Sequence, residues 1–147
     1  MTNLHLGCTY LIVKDWEKSL AFYQALLEMP PKHRNKNRWA EFHFHGKSIS
    51  LFNPKFDEML IASGTDISEK FNTAYLDYKK LPVTFGNNFV LNFWVEDLNA
   101  EYERVKALGI GKVSEILLIN VTAEPYYCFM LYDPDGNQIE VTGNWKA

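Results

Sequence analysis

A few side chains in this sequence have the type and spacing to do chemistry. In Gln138-Ile139-Glu140-Val141 a carboxylate alternates with aliphatic residues, and a strand would turn Glu140 away from the face that Ile139 and Val141 bury. A carboxylate so placed acts as a general base with raised pKa, or as an acid paired with a Tyr or Trp hydrogen. His43, in Phe42-His43-Phe44-His45, is the second candidate for proton transfer, with Glu41 as helper. A solvated or hydrogen-bonded imidazole is its plainer role. Cys8 has no His or basic partner in view and reads as a small buried hydrophobe rather than a nucleophile, and His5 before it as exposed. Lys32-His33-Arg34-Asn35-Lys36-Asn37-Arg38 reads as a solvated strand edge whose charges block edge pairing. Gly109-Ile110-Gly111-Lys112 lacks the further glycines and the helix context of a phosphate loop.

These residues must be positioned by a repeated set of elements. Leu11-Ile12-Val13-Lys14-Asp15-Trp16 matches Phe93-Trp94-Val95-Glu96-Asp97-Leu98 at an offset of 82. Each is an apolar strand ending at an Asp suited to cap a helix. Helical stripes follow at Trp16, Leu20, Tyr23 and Leu27, and at Leu98, Tyr102, Val105 and Leu108. The first helix must stop before Pro30-Pro31, and the second at Gly109. Gly46-Lys47-Ser48-Ile49-Ser50-Leu51 matches Gly136-Asn137-Gln138-Ile139-Glu140-Val141 at an offset of 90. Strands are expected before these turns at 39–45 and 126–132, and two more near 31–37 and 112–121. Asp133-Pro134-Asp135-Gly136-Asn137 is dense turn chemistry. Each half reads strand, helix, strand, strand, strand. Residues 54–88 join the halves, with a short helix expected at 56–62 and enough apolar residues to pack as a surface loop, a lid or a dimer contact.

The two motifs, Val13-Lys14-Asp15-Trp16-Glu17-Lys18-Ser19-Leu20-Ala21-Phe22-Tyr23 and Leu131-Tyr132-Asp133-Pro134-Asp135-Gly136-Asn137-Gln138-Ile139-Glu140-Val141, resemble those of the vicinal oxygen chelate superfamily. That group includes glyoxalase I, bleomycin-resistance proteins, fosfomycin-resistance enzymes and extradiol dioxygenases. The resemblance implies an α+β fold. Two βαβββ modules in pseudo-twofold arrangement, about 4–53 and 89–145, form a curved mixed sheet around a cavity within one domain, 1–147. Alternation then turns Cys8, Tyr10, Ile12, Ser48, Ser50, Phe52, Val90, Asn92, Trp94, Gln138, Glu140 and Thr142 inward. A two-residue turn at Gly46-Lys47 would set His43 across from Ser50 and Glu41 across from Phe52; the second half would set Met130 near Glu140. Tyr10 and Trp94, taken as equivalent in the two modules, suit stacking on a planar ligand.

Metal-dependent members of that group draw ligands from the first and last strands of each module, which the resemblance maps onto Cys8, Ser50, Val90 and Glu140. Glu140 is the only good ligand of the four: Val90 has no lone pair, Ser50 is a poor donor to a divalent ion, and the Cys8 thiolate is soft and oxidisable. No cofactor is therefore expected. A divalent metal is the alternative, with His43 reaching Glu140 from across the cavity. The first functional reading is a protein that binds a small aromatic molecule, similar in kind to bleomycin-resistance proteins. Tyr10, Phe52 and Trp94 would bury the ligand, and Ser50, Asn92, Met130, Gln138 and Glu140 would line or orient it. The second is a metal-dependent lyase, isomerase or dioxygenase resembling glyoxalase I, with Glu140 and His43 catalytic. The third, an interaction module, would have a filled cavity.

Composition bounds these readings. The 147 residues match one domain of about 150. A net charge of −3 and a pI near 5.8 give no bulk electrostatic case for nucleic acid. Apolar runs stay well under the roughly 18 residues of a membrane span. The first residues lack a signal-peptide pattern. Two cysteines outside any metal-type spacing fit a reduced, cytoplasmic protein. Exposed sheet edges suit a homodimer.

Overall fold

Two strand patterns of the same order generate two sheets of the same topology. In the computed structural model, which describes residues 3, 6–86, 89–120 and 123–147, the first sheet holds β1 (Thr9–Ile12), β2 (His33–Asn35), β3 (Trp39–Phe44) and β4 (Lys47–Phe52) in the order β1-β4-β3-β2. The second holds β5 (Val90–Asp97), β6 (Leu117–Ile119), β7 (Tyr126–Tyr132) and β8 (Gln138–Asn144) in the order β5-β8-β7-β6. Each first strand pairs parallel with the last strand of its module, and the remaining pairs are antiparallel. A parallel pair needs a long crossover. Its first part is helix α1 (Trp16–Leu27) in one half and α5 (Leu98–Leu108) in the other. The chain is thus α+β, with both βαβββ modules present.

The described residues fall into two compact units. Met1–Trp16 with Met29–Phe85 makes the first, and Glu17–Glu28 with Gly86–Ala147 the second, so that most of α1 joins the sheet of the second module. In the first unit Leu11, Val13, Ala40, Phe42, Ile49 and Leu51 are buried. In the second, Leu91, Phe129, Leu131, Ile139 and Val141 pack with Leu98 and Val105 of α5. Phe93 and Val95, which alternate with Asn92 and Trp94 on β5, are half-buried. Asp97 caps α5 by accepting from the Ala100 N–H at 3.0 Å, and Gly109 closes it at a φ of 61°. Three stripe positions differ from expectation, Tyr102 being half-buried. Leu108, on the last turn, is exposed, and Leu27 is half-buried because α1 buries Leu20, Phe22, Tyr23 and Leu26 over a wider arc.

The β7–β8 turn shows why its residues are Asp-Pro-Asp-Gly-Asn. The buried Asp133 carboxylate accepts from the backbone N–H groups of Asp135 and Asn137 at 2.9 and 2.8 Å, from Asn137 Nδ2 at 2.8 Å, and from the Tyr23 hydroxyl at 2.7 Å. Four donors satisfy a carboxylate that burial would otherwise penalise. The same bond ties α1 to the turn. Burial, then the neighbouring Asp133 carboxylate, pushes the Tyr23 phenol far above its ordinary range.

The β3–β4 turn is a correction. Its two central residues are His45 and Gly46, at φ 47° and 73°, not Gly46 and Lys47. His43 therefore faces Ser48, Glu41 faces Ser50 and Trp39 faces Phe52. The shift is two residues, so each side chain keeps its face. In the second half Met130 faces Glu140 as expected. The outer strands are shorter than expected, three residues each, and Val121 lies outside the described residues.

Residues 54–85 of the connector belong to the first unit and contain three helices, α2 (Pro54–Ser63), α3 (Ile67–Lys70) and α4 (Thr73–Tyr78). Asn53 accepts from the Lys55 N–H, Pro54 occupies the first turn, and Gly64 closes α2 at a φ of 69°. The expected helix at 56–62 lies inside α2. The Asp57 side chain on this helix is fully buried and takes a forked pair of bonds from Arg38, at 2.7 and 3.0 Å, plus the Tyr75 hydroxyl of α4 at 2.6 Å. Arg38 is thus an anchor rather than the end of a solvated run, while its neighbours from Lys32 to Asn37 are exposed as expected. No described helix is long and apolar enough to cross a membrane.

Candidate functional site

Alternation leaves each sheet with one face outside its buried core, and these faces carry the candidate residues. In the second unit, β5 offers Val90, Asn92 and Trp94 and β8 offers Gln138, Glu140 and Thr142. The registers Val90↔Gln138, Asn92↔Glu140 and Trp94↔Thr142 set them side by side. Asn92 Nδ2 donates to Glu140 Oε1 at 2.6 Å and to Thr142 Oγ1 at 3.0 Å, and the Thr142 hydroxyl lies 3.4 Å from the same carboxylate oxygen. One Glu140 oxygen is thereby held by neighbours on both sides. On β7, Met130 stands opposite Glu140, while Cys128, opposite Thr142, is buried. Burial, reinforced by the nearby Glu140 carboxylate, pushes the Cys128 thiol up. Trp94 is 62% exposed and Val90 45% exposed, so the polar pair is flanked by uncovered apolar surface.

The first unit's face is aromatic. Tyr10 on β1 lies 5.1 Å from Trp39 and 6.3 Å, edge on, from Phe52, and the Arg38 guanidinium sits 5.0 Å over the Phe52 ring. Ser50, between Tyr10 and Glu41 in register, has a buried hydroxyl with no hydrogen-bond partner among the described residues. His43 approaches Glu41 at 3.5 Å and packs edge on against His33 at 5.5 Å.

Several expectations change here. By strand register, Tyr10 beside Ser50 corresponds to Asn92 beside Glu140, and Trp94 corresponds to Ile12; Tyr10 and Trp94 are not equivalent. Cys8 is exposed rather than buried, because it precedes β1 and has no ladder partner. His5 lies outside the described residues. His43 belongs to the first unit and Glu140 to the second, and the partner that His43 has is Glu41. Trp39 and Cys128 were missed as face residues, although stepping by two from Glu41 and from Met130 reaches them. The Asp57 network had no sequence signal, since its parts meet only through tertiary packing.

The residues that the resemblance maps to metal positions make a poor donor set for a divalent ion. Val90 offers carbon only, the Ser50 hydroxyl is buried, Cys8 precedes its strand, and one Glu140 oxygen is committed to Asn92 and Thr142. Among the described residues no three His, Cys, Asp or Glu side chains gather to hold a metal.

The repeated modules and their paired first and last strands define a class of fold. A profile of the Glyoxalase/Bleomycin resistance protein/Dioxygenase superfamily matches residues 4–141, and the chain belongs to that superfamily. Among solved structures it is similar to a protein from the mobile metagenome of V. Pseudocholerae (24% identity, TM-score 0.64, covering 99% of this chain and 98% of that one). It is also similar to a lactoylglutathione lyase from Agrobacterium tumefaciens (20% identity, TM-score 0.62, 95% and 93%). A glyoxalase-related enzyme from Fulvimarina pelagi aligns at 16% identity and TM-score 0.63, covering 95% and 88%. No curated protein matches the chain. At these identities the likeness establishes the fold, and reaction chemistry rests on the site.

Proposed function

We propose that this protein binds a small aromatic molecule bearing a positive charge or a hydrogen-bond donor, and that it does so without the metal used by catalytic members of its superfamily. The observation that carries this reading is the Glu140 carboxylate held by Asn92 at 2.6 Å beside an exposed Trp94. A positioned carboxylate accepts from a ligand N–H or cation, and an indole face stacks on a planar ring. Met130 and Gln138 complete the wall on β7 and β8. A homodimer in a reducing compartment is part of the reading: uncovered Val90 and Trp94 suit a surface closed by ligand or a second copy, and both cysteines are free.

Calorimetric titration with 4-aminoquinoline, a planar cation, and with neutral quinoline tests the reading. The cation should bind saturably and more tightly than the neutral ring. Trp94→Leu should weaken both, and Glu140→Gln should remove the preference for the cation. Binding of both rings undiminished in both variants would contradict the assignment.

A further inference from the structure

The connector borders a second feature within the first unit, an open pocket of about 200 Å³ whose lining includes Ile12, Phe52, Pro54, Lys79, Leu81 and Val83, with Leu81 and Val83 on its exposed rim. Its wall is largely aliphatic and aromatic, and Lys79 is the cation in it. That side chain is only 8% exposed, and its Nζ reaches the Pro54 carbonyl at 3.4 Å and Glu58 Oε1 at 3.7 Å. Both contacts are long beside the roughly 2.7–2.9 Å of a charge-assisted bond. An ammonium has three donors, and the described residues offer Lys79 no closer acceptor. Helix α2 begins at Pro54, so the positive end of its dipole lies at the same wall. The opposing charges are Glu58, which is half exposed, and Asp57, whose carboxylate is already committed to Arg38 and Tyr75.

We infer that this cavity is a binding site for a small organic anion, a carboxylate carried on one ring or a short chain. The carboxylate replaces the two long contacts of Lys79 Nζ, and the apolar body lies against Ile12, Phe52 and Leu81. The size agrees: an apolar cavity of about 150 Å³ accepts benzene, and this one is about 200 Å³. The site lies wholly in the first unit and selects the opposite charge from the Glu140 face. It stands whether or not that face binds cations.

Protein-observed NMR with benzoate and its neutral isostere benzamide tests the inference. Benzoate should shift the Ile12, Leu81 and Val83 methyl signals saturably, with benzamide about tenfold weaker. Lys79→Met, which keeps most of the aliphatic stem, should reduce benzoate to the level of benzamide, and Lys79→Arg should keep the preference. Val83→Trp, at a partly exposed wall position, should fill the cavity and abolish the shifts while the rest of the spectrum stays native. Equal binding of the two probes by the unsubstituted protein, or benzoate shifts that survive Val83→Trp, would overturn it. So would apolar peptide or self-association occupying the cavity in preference to benzoate, seen as concentration-dependent shifts of the same methyls without probe.

Discussion

At the scale of single residues, Glu140 and Cys128 carry the sharpest expectations. Glu140→Gln keeps the size of the side chain and removes its charge, so the affinity for 4-aminoquinoline should fall about tenfold, the worth of one charged hydrogen bond. Asn92→Ala frees the carboxylate to move and should weaken the same binding by a smaller factor, read in the same titration. The two thiols should separate cleanly. Cys8 is exposed and Cys128 buried with its thiol pushed up, first by burial and then by Glu140. A raised thiol pKa means less of the reactive thiolate at any given pH. Iodoacetamide in native buffer should therefore label Cys8 quickly and leave Cys128 unmodified until denaturant is added. Mass spectrometry of the labelled chain checks this, and equal labelling of both would contradict it. Glu140 was legible in the sequence because it sits in a strict alternation. Cys8 was misread because nothing in its sequence shows that β1 begins one residue later.

At the scale of elements, the connector depends on Asp57. Burial alone would raise its carboxyl, but bonds from Arg38 and Tyr75 more than offset this and hold it below the ordinary range. A depressed folded-state pKa adds stability that is present above the unfolded value, about 3.9, and is lost as pH falls through the lower folded value. The protein should accordingly lose stability below about pH 4, and Asp57→Asn should flatten that part of the profile. At neutral pH the substitution should cost about 2–3 kcal/mol, less than for a fully enclosed pair because the Arg38 side chain is 32% exposed. Urea unfolding across pH measures both effects. Tyr75, with its phenol pushed up to about 12 by burial and by Asp57, stays a donor throughout this range. The β3–β4 turn gives an independent expectation. His45 holds a left-handed conformation, φ 47°, at the first central position of a hairpin turn that favours Asn-Gly. His45→Asn should raise stability by about 0.5–1 kcal/mol, seen as a higher urea midpoint at unchanged slope. The modules and the connector's first helix were readable because alternation, caps and Pro/Gly stops are local. The turn was read one residue late because Gly46 announces a turn but not which of its two positions it fills. The Arg38–Asp57 bond joins residues that only tertiary packing brings together.

At the scale of the whole molecule, the repeat explains the fold and its divergence explains the site. The two modules share strand order and register, yet the positions beside each other on the first and last strands are Tyr10 and Ser50 in one, Asn92 and Glu140 in the other. One pair suits aromatic contact, the other charge recognition. Glu140 is the one strong donor to a divalent ion among these four side chains. Whether the Glu140 face holds a ligand rather than a metal is decided by titrating 4-aminoquinoline into the protein before and after exhaustive dialysis against a chelator, with the metal content measured in both samples. The affinity should be the same in both, with no divalent ion in stoichiometric amount. Binding that disappears on chelation and returns with one added ion per chain would contradict it.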